Sequence, residues 1–271
     1  MNLNTITEVK RPRTLDEVQG WRAGNAWLGG GTWLFSEPQV HTDTLIDLET
    51  LGWPSLRENE AGLEIAATCR IAELYALERE KRWPASSLIG ECCRSFLSSF
   101  KIWNEATVGG NIVMSLPAGP MISLTVSLQS EYELWPRDGA PRRVPAAEFV
   151  TGAHANVLTA GELLRAIHVP SSALRRRHAF RRASLTHLGR SSVLLVGTLG
   201  DGDVLLTITA ATLRPVQLRF ANAPAGKELR AAIDAAIPAE LYLDDVHGSP
   251  EHRRHLTYHF ALEICEELFA S

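Results

Sequence analysis

Two glycine clusters carry the residue types in this sequence that are best suited to chemistry. The first is Leu28-Gly29-Gly30-Gly31-Thr32, and the second is Thr107-Val108-Gly109-Gly110-Asn111. Because glycine has no Cβ and tolerates positive φ, main-chain N–H groups in such turns approach anions closely and form concave anion sites. A structural turn also explains a single cluster of this kind. Two clusters, each with a threonine, favour a site that holds the two halves of a pyrophosphate.

The first cluster differs from the dinucleotide-binding fingerprint of a Rossmann unit. Its pattern Gly29-x-Gly31-x-x-Leu34 lacks the third glycine of that fingerprint. Pro38 interrupts the stretch in which the crossover helix would run. Although Asp47 stands near the distance of an acidic ribose partner, the pattern disfavours a Rossmann fold.

The cysteine and histidine spacings disfavour metal chemistry. The cysteines form no C-x-x-C pair, and buried thiols are the expected state of Cys69, Cys92, Cys93 and Cys265. The densest histidine group is His252, His255 and His259, but the chain has no H-E-x-x-H motif. We therefore expect no metal site, and any electron transfer would need an organic cofactor.

The composition fits a protein with sizeable cores and no polyanionic partner. The chain has 271 residues, 45% of them hydrophobic, and a formal net charge of −4. This length suits two domains, and the charge gives no reason to expect nucleic acid or an anionic membrane. Without a long apolar run or a signal-like N-terminus, the sequence is expected to be cytoplasmic.

Hydrophobic spacing predicts the elements that position the two clusters. Strands are expected at residues 26–28, 44–48, 62–67 and 163–169, and helices at 71–82 and 86–100. A helix gives way to a strand between residues 124 and 134. Thr14 and Glu17 have the spacing of a capping box, which predicts a short helix to about Gly24.

The composition changes at residues 171–182, which are basic, and a domain boundary is placed there. Strands are then expected at residues 191–199 and 204–213 around the hairpin signal 200–203, with a third strand at 216–220. A helix is expected at 227–237, and a last helix begins at Ser249-Pro250. The apolar side chains spaced by four along this helix are interpreted as core: Leu256, Phe260, Ile264 and Leu268.

The motifs together resemble a known family, the FAD-binding medium subunit of the molybdenum hydroxylases, which include xanthine dehydrogenase and carbon monoxide dehydrogenase. The segments that carry the resemblance follow family order at residues 26–34, 45–48, 102–112, 148–152 and 161–170. The resemblance implies an α+β fold. Residues 1–172 would form a two-part FAD-binding domain of the vanillyl-alcohol-oxidase (PCMH) type, with subdomains at about 1–55 and 56–172. Residues 173–271 would form a smaller α+β domain with an antiparallel sheet, like the flavoprotein C-terminal domain of carbon monoxide dehydrogenase.

The resemblance also implies positions for FAD contacts. The first wall around the pyrophosphate and ribityl chain would be formed by Leu28, Gly29, Gly30, Gly31 and Thr32, continued by Trp33 and Leu34. The opposing wall would be formed by Thr107, Gly109, Gly110 and Asn111. Neighbours of the isoalloxazine ring would be Leu163, Leu164 and, on the other face, Leu97.

Two positions depart from the family pattern. Pro120 occupies the position of an acidic residue that contacts FAD in the family. Trp33 stands where an aspartate often follows the threonine. A hydrogen bond missing at Pro120 would cost about 1 kcal/mol of binding, so these changes affect affinity more than fold.

The function that the resemblance implies is an electron-transfer flavoprotein subunit. Its FAD, bound non-covalently, would receive electrons from [2Fe–2S] clusters and pass them to NAD or oxygen. The partners would be a molybdenum-binding large subunit and a [2Fe–2S] small subunit, as a dimer of heterotrimers, with no catalytic side chain in this chain. One alternative is a non-catalytic assembly module with a degenerate flavin site. Another is a stand-alone oxidase with covalent FAD, although neither cluster contains a histidine or cysteine.

Overall fold

The computed structural model describes residues 3–18, 20–200 and 202–270. The strands are β1 Glu8–Lys10, β2 Asn25–Leu28, β3 Thr44–Asp47, β4 Leu56–Asn59, β5 Gly62–Ala66, β6 Glu131–Trp135, β7 Arg142–Pro145, β8 Val150–Gly152, β9 Ala155–Asn156, β10 Leu163–Pro170, β11 Arg177–Ala183, β12 Val193–Gly200, β13 Asp203–Thr209 and β14 Val216–Phe220. The helices are α1 Ile71–Glu80, α2 Ser86–Arg94, α3 Phe100–Trp103, α4 Val108–Val113, α5 Pro120–Ser127, α6 Ala146–Phe149, α7 Ser171–Leu174, α8 Gly226–Ala236 and α9 Pro250–Phe269.

A small parallel sheet carries the first glycine cluster. Its strand order is β1-β3-β2, with Leu45 of β3 paired to Val9 on one side and Ala26 on the other. Leu45 and Ile46 of the central strand are buried, one on each face, as a strand with two parallel neighbours requires. The first cluster begins at the end of β2, so it projects from the carboxyl edge of this sheet.

A five-stranded antiparallel sheet of order β4-β5-β10-β6-β7 forms the middle of the molecule. Ile167 of the central strand β10 is paired with Ile65 on one side and Tyr132 on the other. These side chains belong to the same core as α1, α2 and α5. Polar residues at alternate positions, such as Glu64 and His168, are only partly buried, which is the alternation expected for a sheet covered on one face.

The C-terminal part is a four-stranded antiparallel meander of order β11-β12-β13-β14. Helix α9 packs against β11 and β12 on one face, with α8 beside α9. Helix α5 packs against β12 and β13, and it also contacts α2. The described chain is therefore a mixed α and β fold with an antiparallel C-terminal sheet, as expected.

Helix α5 lies between the two large sheets and is buried at every position. Such a helix needs internal partners for its polar side chains. Thr125 and Ser127 donate their hydroxyls to carbonyl oxygens one turn earlier, each at 2.7 Å. Ser123 contacts the four-stranded C-terminal sheet through a hydroxyl–hydroxyl contact of 2.7 Å with Thr209. The two sheets thus share one core across this helix.

Two predicted helices differ from the structure: one is absent from the described residues and the other is shorter. The helix expected from Thr14 to Gly24 is wrong for the described residues, since Leu15–Glu17 forms only a 3-10 turn and Gly20 has φ +61°. The Glu17 carboxylate accepts from the Arg13 amide at 3.0 Å, so no capping box forms. Gln19, within that expected range, lies outside the described residues. The helix expected at 86–100 ends at Arg94, because the chain turns through Leu97 at φ +47°.

The basic segment placed at the domain boundary is largely a strand. β11 pairs with β12 along its whole length, and Arg181 bonds Glu263 and Glu267 of α9, each at 2.7 Å. The charge of Arg181 thus has acidic partners on the covering helix. Strand β13 ends at Thr209, before the expected residue 213, because Ala210 turns at φ +62°. Of the hairpin signal 200–203, Asp201 lies outside the described residues.

The buried face of α9 differs in part from the predicted stripe. Ile264 and Leu268 are core residues, whereas Leu256 and Phe260 are only partly buried at its edge. A spacing of four drifts around a helix with 3.6 residues per turn. The face that points to the sheet is completed by Arg253, Thr257, Ala261 and Cys265. All four cysteines are free and buried, as expected.

No helix within the described residues combines the length and apolar character needed to cross a membrane. The described part of the chain also brings together no group of three or more histidine, cysteine, aspartate or glutamate side chains that could hold a metal ion.

Candidate functional site

The two glycine clusters meet in the folded chain. We call them the first glycine loop, residues 28–34, and the second glycine loop, residues 107–111. A Cβ on Gly30 would overlap the carbonyl oxygen of Glu105, and a Cβ on Gly29 would lie 3.0 Å from the Thr107 hydroxyl. The main chain of the first loop therefore lies directly against the start of the second, which only glycine permits.

The third glycine of the first loop is required by its conformation. Gly31 has φ +70°, and a Cβ there would lie 2.5 Å from the ring of Phe35. The amide of Phe35 donates to the Gly31 oxygen at 2.8 Å, so the chain folds back on itself. The loop is thus a tight turn with its main chain open on one side.

The two glycines of the second loop have different surroundings. Gly109 is buried against β5, where its amide donates to the Ala67 oxygen at 2.9 Å and a Cβ would lie 2.5 Å from the Ala67 Cβ. Gly110 is exposed, and its amide donates to the Thr107 hydroxyl at 3.0 Å. Gly109 therefore serves helix–sheet packing, whereas Gly110 presents bare main chain to the outside.

Arg70 joins the small parallel sheet to the second loop. Its guanidinium lies 2.9 Å from the Glu49 carboxylate, just after β3, and donates to the Glu105 carbonyl. A planar guanidinium suits such a bridge because it presents several donors in a fixed geometry. Arg70 thus helps to hold the two glycine loops in position relative to each other, in addition to their direct contact.

A cavity of about 570 Å³ opens where the loops meet. This size is typical of small-molecule and cofactor sites. Most of the predicted contact residues line it, namely Gly29, Gly30, Gly31, Thr32, Trp33, Leu34, Leu97, Thr107, Gly110 and Asn111. The sequence pattern and the geometry therefore converge on one place.

Four predicted contact residues lie outside this lining. Leu28 ends β2 and is partly buried, and Gly109 packs under α4. Leu163 and Leu164 are buried at the start of β10. They follow Gly161, whose oxygen accepts from the indole of cavity-lining Trp27 at 3.2 Å. A role for these two leucines beside a flavin ring stays a prediction.

Other lining residues escaped the sequence analysis. Apolar walls are supplied by Trp27, Phe96, Ile102, Ala106, Val113, Met114, Leu116 and Ala118. The segment that precedes β12 contributes Leu188, Arg190 and Ser191. Phe96 is adjacent to the predicted contact Leu97, and Met114 lies three residues after Asn111, so proximity in sequence was a usable signal for these two. The segment 188–191 is distant in sequence from both loops and carries no motif.

Leu97 adopts a backbone conformation that is unusual for a branched residue. Its φ is +47°, in the left-handed region that favours glycine. Non-glycine residues in this region cost about 1–3 kcal/mol and cluster at binding sites. The turn brings Ser95, Phe96, Leu97 and Ser98 to the cavity wall.

The two departures from the family pattern also lie in the cavity lining. Pro120 is the first residue of α5, where a missing N–H costs no helical hydrogen bond. The next amide, of Met121, donates to the Asn111 side chain at 3.1 Å, so the helix start is satisfied without a carboxylate. Trp33 is 37% exposed, and its ring lies 6.2 Å from that of His154.

The charge in the described cavity lining is of one sign, positive. Among the described residues that line it, Arg190 is the single charged side chain, and no carboxylate is present. The remaining polar groups are hydroxyls, indoles, the Asn111 amide and main chain. Such a lining suits a flat ring with apolar faces joined to an anionic group, and its described residues offer no pair of groups for acid–base catalysis.

Comparisons with known proteins give a consistent picture. Residues 5–172 match the model of a protein family described as the FAD binding domain in molybdopterin dehydrogenase. Xanthine dehydrogenase 1 of Arabidopsis thaliana is 27% identical over 124 residues, which is 43% of this chain and 9% of that enzyme. The second xanthine dehydrogenase of that plant matches to the same extent. The chain therefore spans only a small part of these curated relatives.

Solved structures match over almost the whole chain. Carbon monoxide dehydrogenase from Hydrogenophaga pseudoflava aligns with a TM-score of 0.80 at 17% identity, covering 98% of both chains. Quinoline 2-oxidoreductase from Pseudomonas putida 86 gives 0.80 at 17% identity, covering 99% and 98%. Reconstituted CO dehydrogenase from Oligotropha carboxidovorans gives 0.81 at 21% identity, covering 97% and 96%. These similarities establish a shared fold.

Proposed function

This chain belongs to the family of FAD-binding domains in molybdopterin dehydrogenases, and from that premise we propose that it binds FAD non-covalently as an electron-transfer subunit. It would serve a molybdenum-containing hydroxylase or dehydrogenase complex. Electrons from [2Fe–2S] clusters of a partner would pass through the flavin to an acceptor such as NAD or oxygen.

The observation that carries this proposal is the contact between the two glycine loops at the cavity. Gly30 can be no other residue without displacing the Glu105 carbonyl, and Gly110 lies at the cavity with only the Thr107 hydroxyl near its missing Cβ. A diphosphate needs several convergent donors close to bare main chain. Two such loops in contact bring two stretches of bare main chain to one cavity, whereas one loop would bring only one.

The rest of the lining fits the other part of FAD. The flavin ring is flat with apolar faces and an apolar dimethylbenzene end, and Leu34, Phe96, Leu97 and Ile102 offer an apolar surface of matching character. When bound, FAD supplies redox chemistry that no side chain possesses. The residues of this chain bind and orient the cofactor and exclude water from it. None of them needs to move a proton.

The partners in this proposal are a molybdenum-binding large subunit and a [2Fe–2S] small subunit, assembled as a dimer of heterotrimers in the cytoplasm. The proposal keeps residues 1–172 as the FAD-binding part, with subdomains at about 1–55 and 56–172, and 173–271 as the C-terminal part. Carbon monoxide dehydrogenase and quinoline 2-oxidoreductase supply the analogy through fold alone.

A second candidate function is an assembly module whose flavin site has degenerated. Pro120 in the lining favours it, because the family carboxylate at that position is absent. Against it stand the intact glycine loops and an open cavity. The two functions differ in one observable, which is whether the protein takes up flavin.

The test is purification of the chain followed by addition of FAD and gel filtration. We expect a yellow protein whose flavin is released into the supernatant by acid precipitation, because neither loop contains a histidine or cysteine for covalent attachment. A protein that stays colourless with excess FAD supports the assembly module. Flavin retained in the acid pellet contradicts non-covalent binding. Co-expression with molybdenum and [2Fe–2S] subunits encoded nearby tests the complex.

A further inference from the structure

Arg190 is a free cation at the cavity. Its side chain is exposed and lines the cavity, and it makes no hydrogen bond, ion pair or ring contact with another described residue. The other arginines near the site are engaged: Arg70 bonds Glu49 and Glu105, and Arg182 bonds the main chain and a serine. Arg190 thus differs from them in having donors available for a ligand.

The main chain that carries Arg190 is held on both sides. Arg182 donates to the Ser191 hydroxyl at 2.7 Å and also to the Gly189 oxygen, so one guanidinium joins the two neighbours of Arg190. Burial lowers the pKa of Arg182 from its ordinary value, but it remains a cation at any physiological pH. The position of Arg190 on the cavity wall is therefore set before a ligand arrives.

Ser192, two residues after Arg190, is fixed from the interior. The Ser192 amide donates to the Ala183 oxygen at 2.8 Å, and its carbonyl accepts from the buried Arg253 at 2.5 Å. Its hydroxyl donates to the His247 oxygen, 2.5 Å away. Because these hydrogen bonds already hold the segment, a ligand that binds Arg190 restricts little more than the rotamers of its side chain. The cost in conformational entropy is therefore small.

The charge of the lining indicates what Arg190 binds. A dinucleotide brings two negative charges into a cavity that has no carboxylate among its described lining residues. The glycine loops contribute bare main chain, and Arg190 is, among the described lining residues, the one with a full positive charge. Guanidinium pairs with phosphate through two parallel hydrogen bonds, which are stronger than those between neutral groups.

We propose that Arg190 binds a phosphate of the FAD diphosphate and makes this cavity selective for flavins that carry phosphate. The proposal rests on the proposed function, since it assumes that FAD occupies the cavity. It adds a third element, from the C-terminal sheet, to the two glycine loops.

The experiment compares two ligands in matched variants. Apo-protein is titrated with FAD and with riboflavin, which has the same ring but no phosphate, and binding is followed by flavin fluorescence. Arg190→Gln is expected to weaken FAD binding about ten-fold or more and to leave riboflavin binding unchanged. Arg190→Lys keeps the charge but not the planar fork, so an intermediate loss is expected. Added salt should weaken FAD binding to the wild type more than to Arg190→Gln.

Arg214→Gln is the matched control, because Arg214 is also an exposed arginine of the C-terminal part and lies outside the cavity lining. Its FAD affinity is expected to equal that of the wild type. Equal loss of FAD and riboflavin in Arg190→Gln would overturn the proposal, since it would mean contact with the ring or damage to the fold. Unchanged FAD affinity would overturn it as well. Failure of the proposed function looks different, because the wild type itself would then bind neither ligand.

Discussion

The amide nitrogen of Gly109 lies 2.9 Å from the carbonyl oxygen of Ala67, and no space remains there for a side chain. Its neighbour Gly110 meets only the Thr107 hydroxyl within reach of a Cβ, at 2.8 Å. The two consecutive glycines therefore have different roles. Gly109 allows α4 to pack on β5, and Gly110 leaves the main chain bare at the cavity.

Gly110→Val should weaken FAD binding at least ten-fold, because its side chain would displace the cofactor from the main chain and disturb the Thr107 cap. The free energy of unfolding should fall by the cost of the lost cap and by about 1 kcal/mol or less in addition. Titration of the apo-protein with FAD and a melting curve check both parts. Wild-type flavin content in Gly110→Val would show that the second loop has been misassigned.

Gly109→Val is the companion variant, with the opposite signature. Overpacking against the main chain of Ala67 should destabilise the whole protein by about 1–3 kcal/mol. Denaturant unfolding of the apo-protein, with no flavin present, measures this. A Gly109→Val protein as stable as the wild type would contradict the packing role of Gly109.

Pro120→Asp should tighten FAD binding by a factor of a few to about ten, the value of one restored hydrogen bond. The first position of a helix accepts aspartate as well as proline, so α5 should persist. Titration of both apo-proteins with FAD gives the comparison. Weaker binding would mean that the segment 116–120 has been rebuilt around proline and no longer follows the family alignment.

Glu162→Gln should destabilise the protein at neutral pH by about 2 kcal/mol. The Glu162 carboxylate is almost fully buried and accepts from Arg142 at 2.7 and 2.8 Å and from the Thr159 amide at 3.0 Å. The hydrogen bonds from Arg142, followed by those from Thr159, lower the pKa of Glu162 against the opposing effect of burial.

The sign of the pH dependence follows from that lowered pKa. A carboxyl whose pKa is lower in the folded state stabilises the fold above its unfolded value, about 4.3, and ceases to do so as the pH falls through the folded value. The difference between wild type and Glu162→Gln should therefore be full at pH 7 and shrink in acid. Glu131→Gln, at an exposed pair with Arg143, is the control and should change stability by less than about 1 kcal/mol. A pH-independent difference would contradict the assignment.

Arg253→Met should cost about 3 kcal/mol of folding free energy. Arg253 is 1% exposed and donates to the carbonyl oxygens of Ser192, Ala210 and Gly248 and to the Asp245 carboxylate. Its loss leaves these acceptors without a partner. The adjacent Arg254 is half exposed and pairs with Asp234, so Arg254→Met should leave stability close to that of the wild type. Denaturant midpoints of the two variants give the comparison, and equal midpoints would contradict it.

Much of the architecture was predictable because local pattern and tertiary role agree. Strands β5 and β10 are mostly apolar and buried at nearly every position, and the helical spacing of α1 reflects one buried face; hydrophobic patterns report such burial directly. The glycine loops were also predictable, since Gly30 is required by a main-chain contact and Gly31 by its torsion angle and its contact with Phe35.

The failures have a common physical cause, which is partners distant in sequence. Arg181 of β11 lies in a segment that the sequence marks only as basic, and its acidic partners Glu263 and Glu267 stand 82 and 86 residues later, on α9. Arg253 occupies a core position that hydrophobicity assigns to an apolar residue, because its donors are satisfied by three separate segments. Arg190 reaches the cavity only through the second sheet, so no motif near the glycine loops indicates it.

Helix α5, buried between the two large sheets, has a consequence for cooperativity. One core contains Leu124 and Val126 of this helix and Ile65 of the five-stranded sheet. The same core contains Leu194 and Val196 of the four-stranded sheet. Neither sheet can expose its inner face without exposing the helix that the other sheet also covers. We expect a single calorimetric transition for the chain, and fragments separated near residue 172 that refold only when mixed.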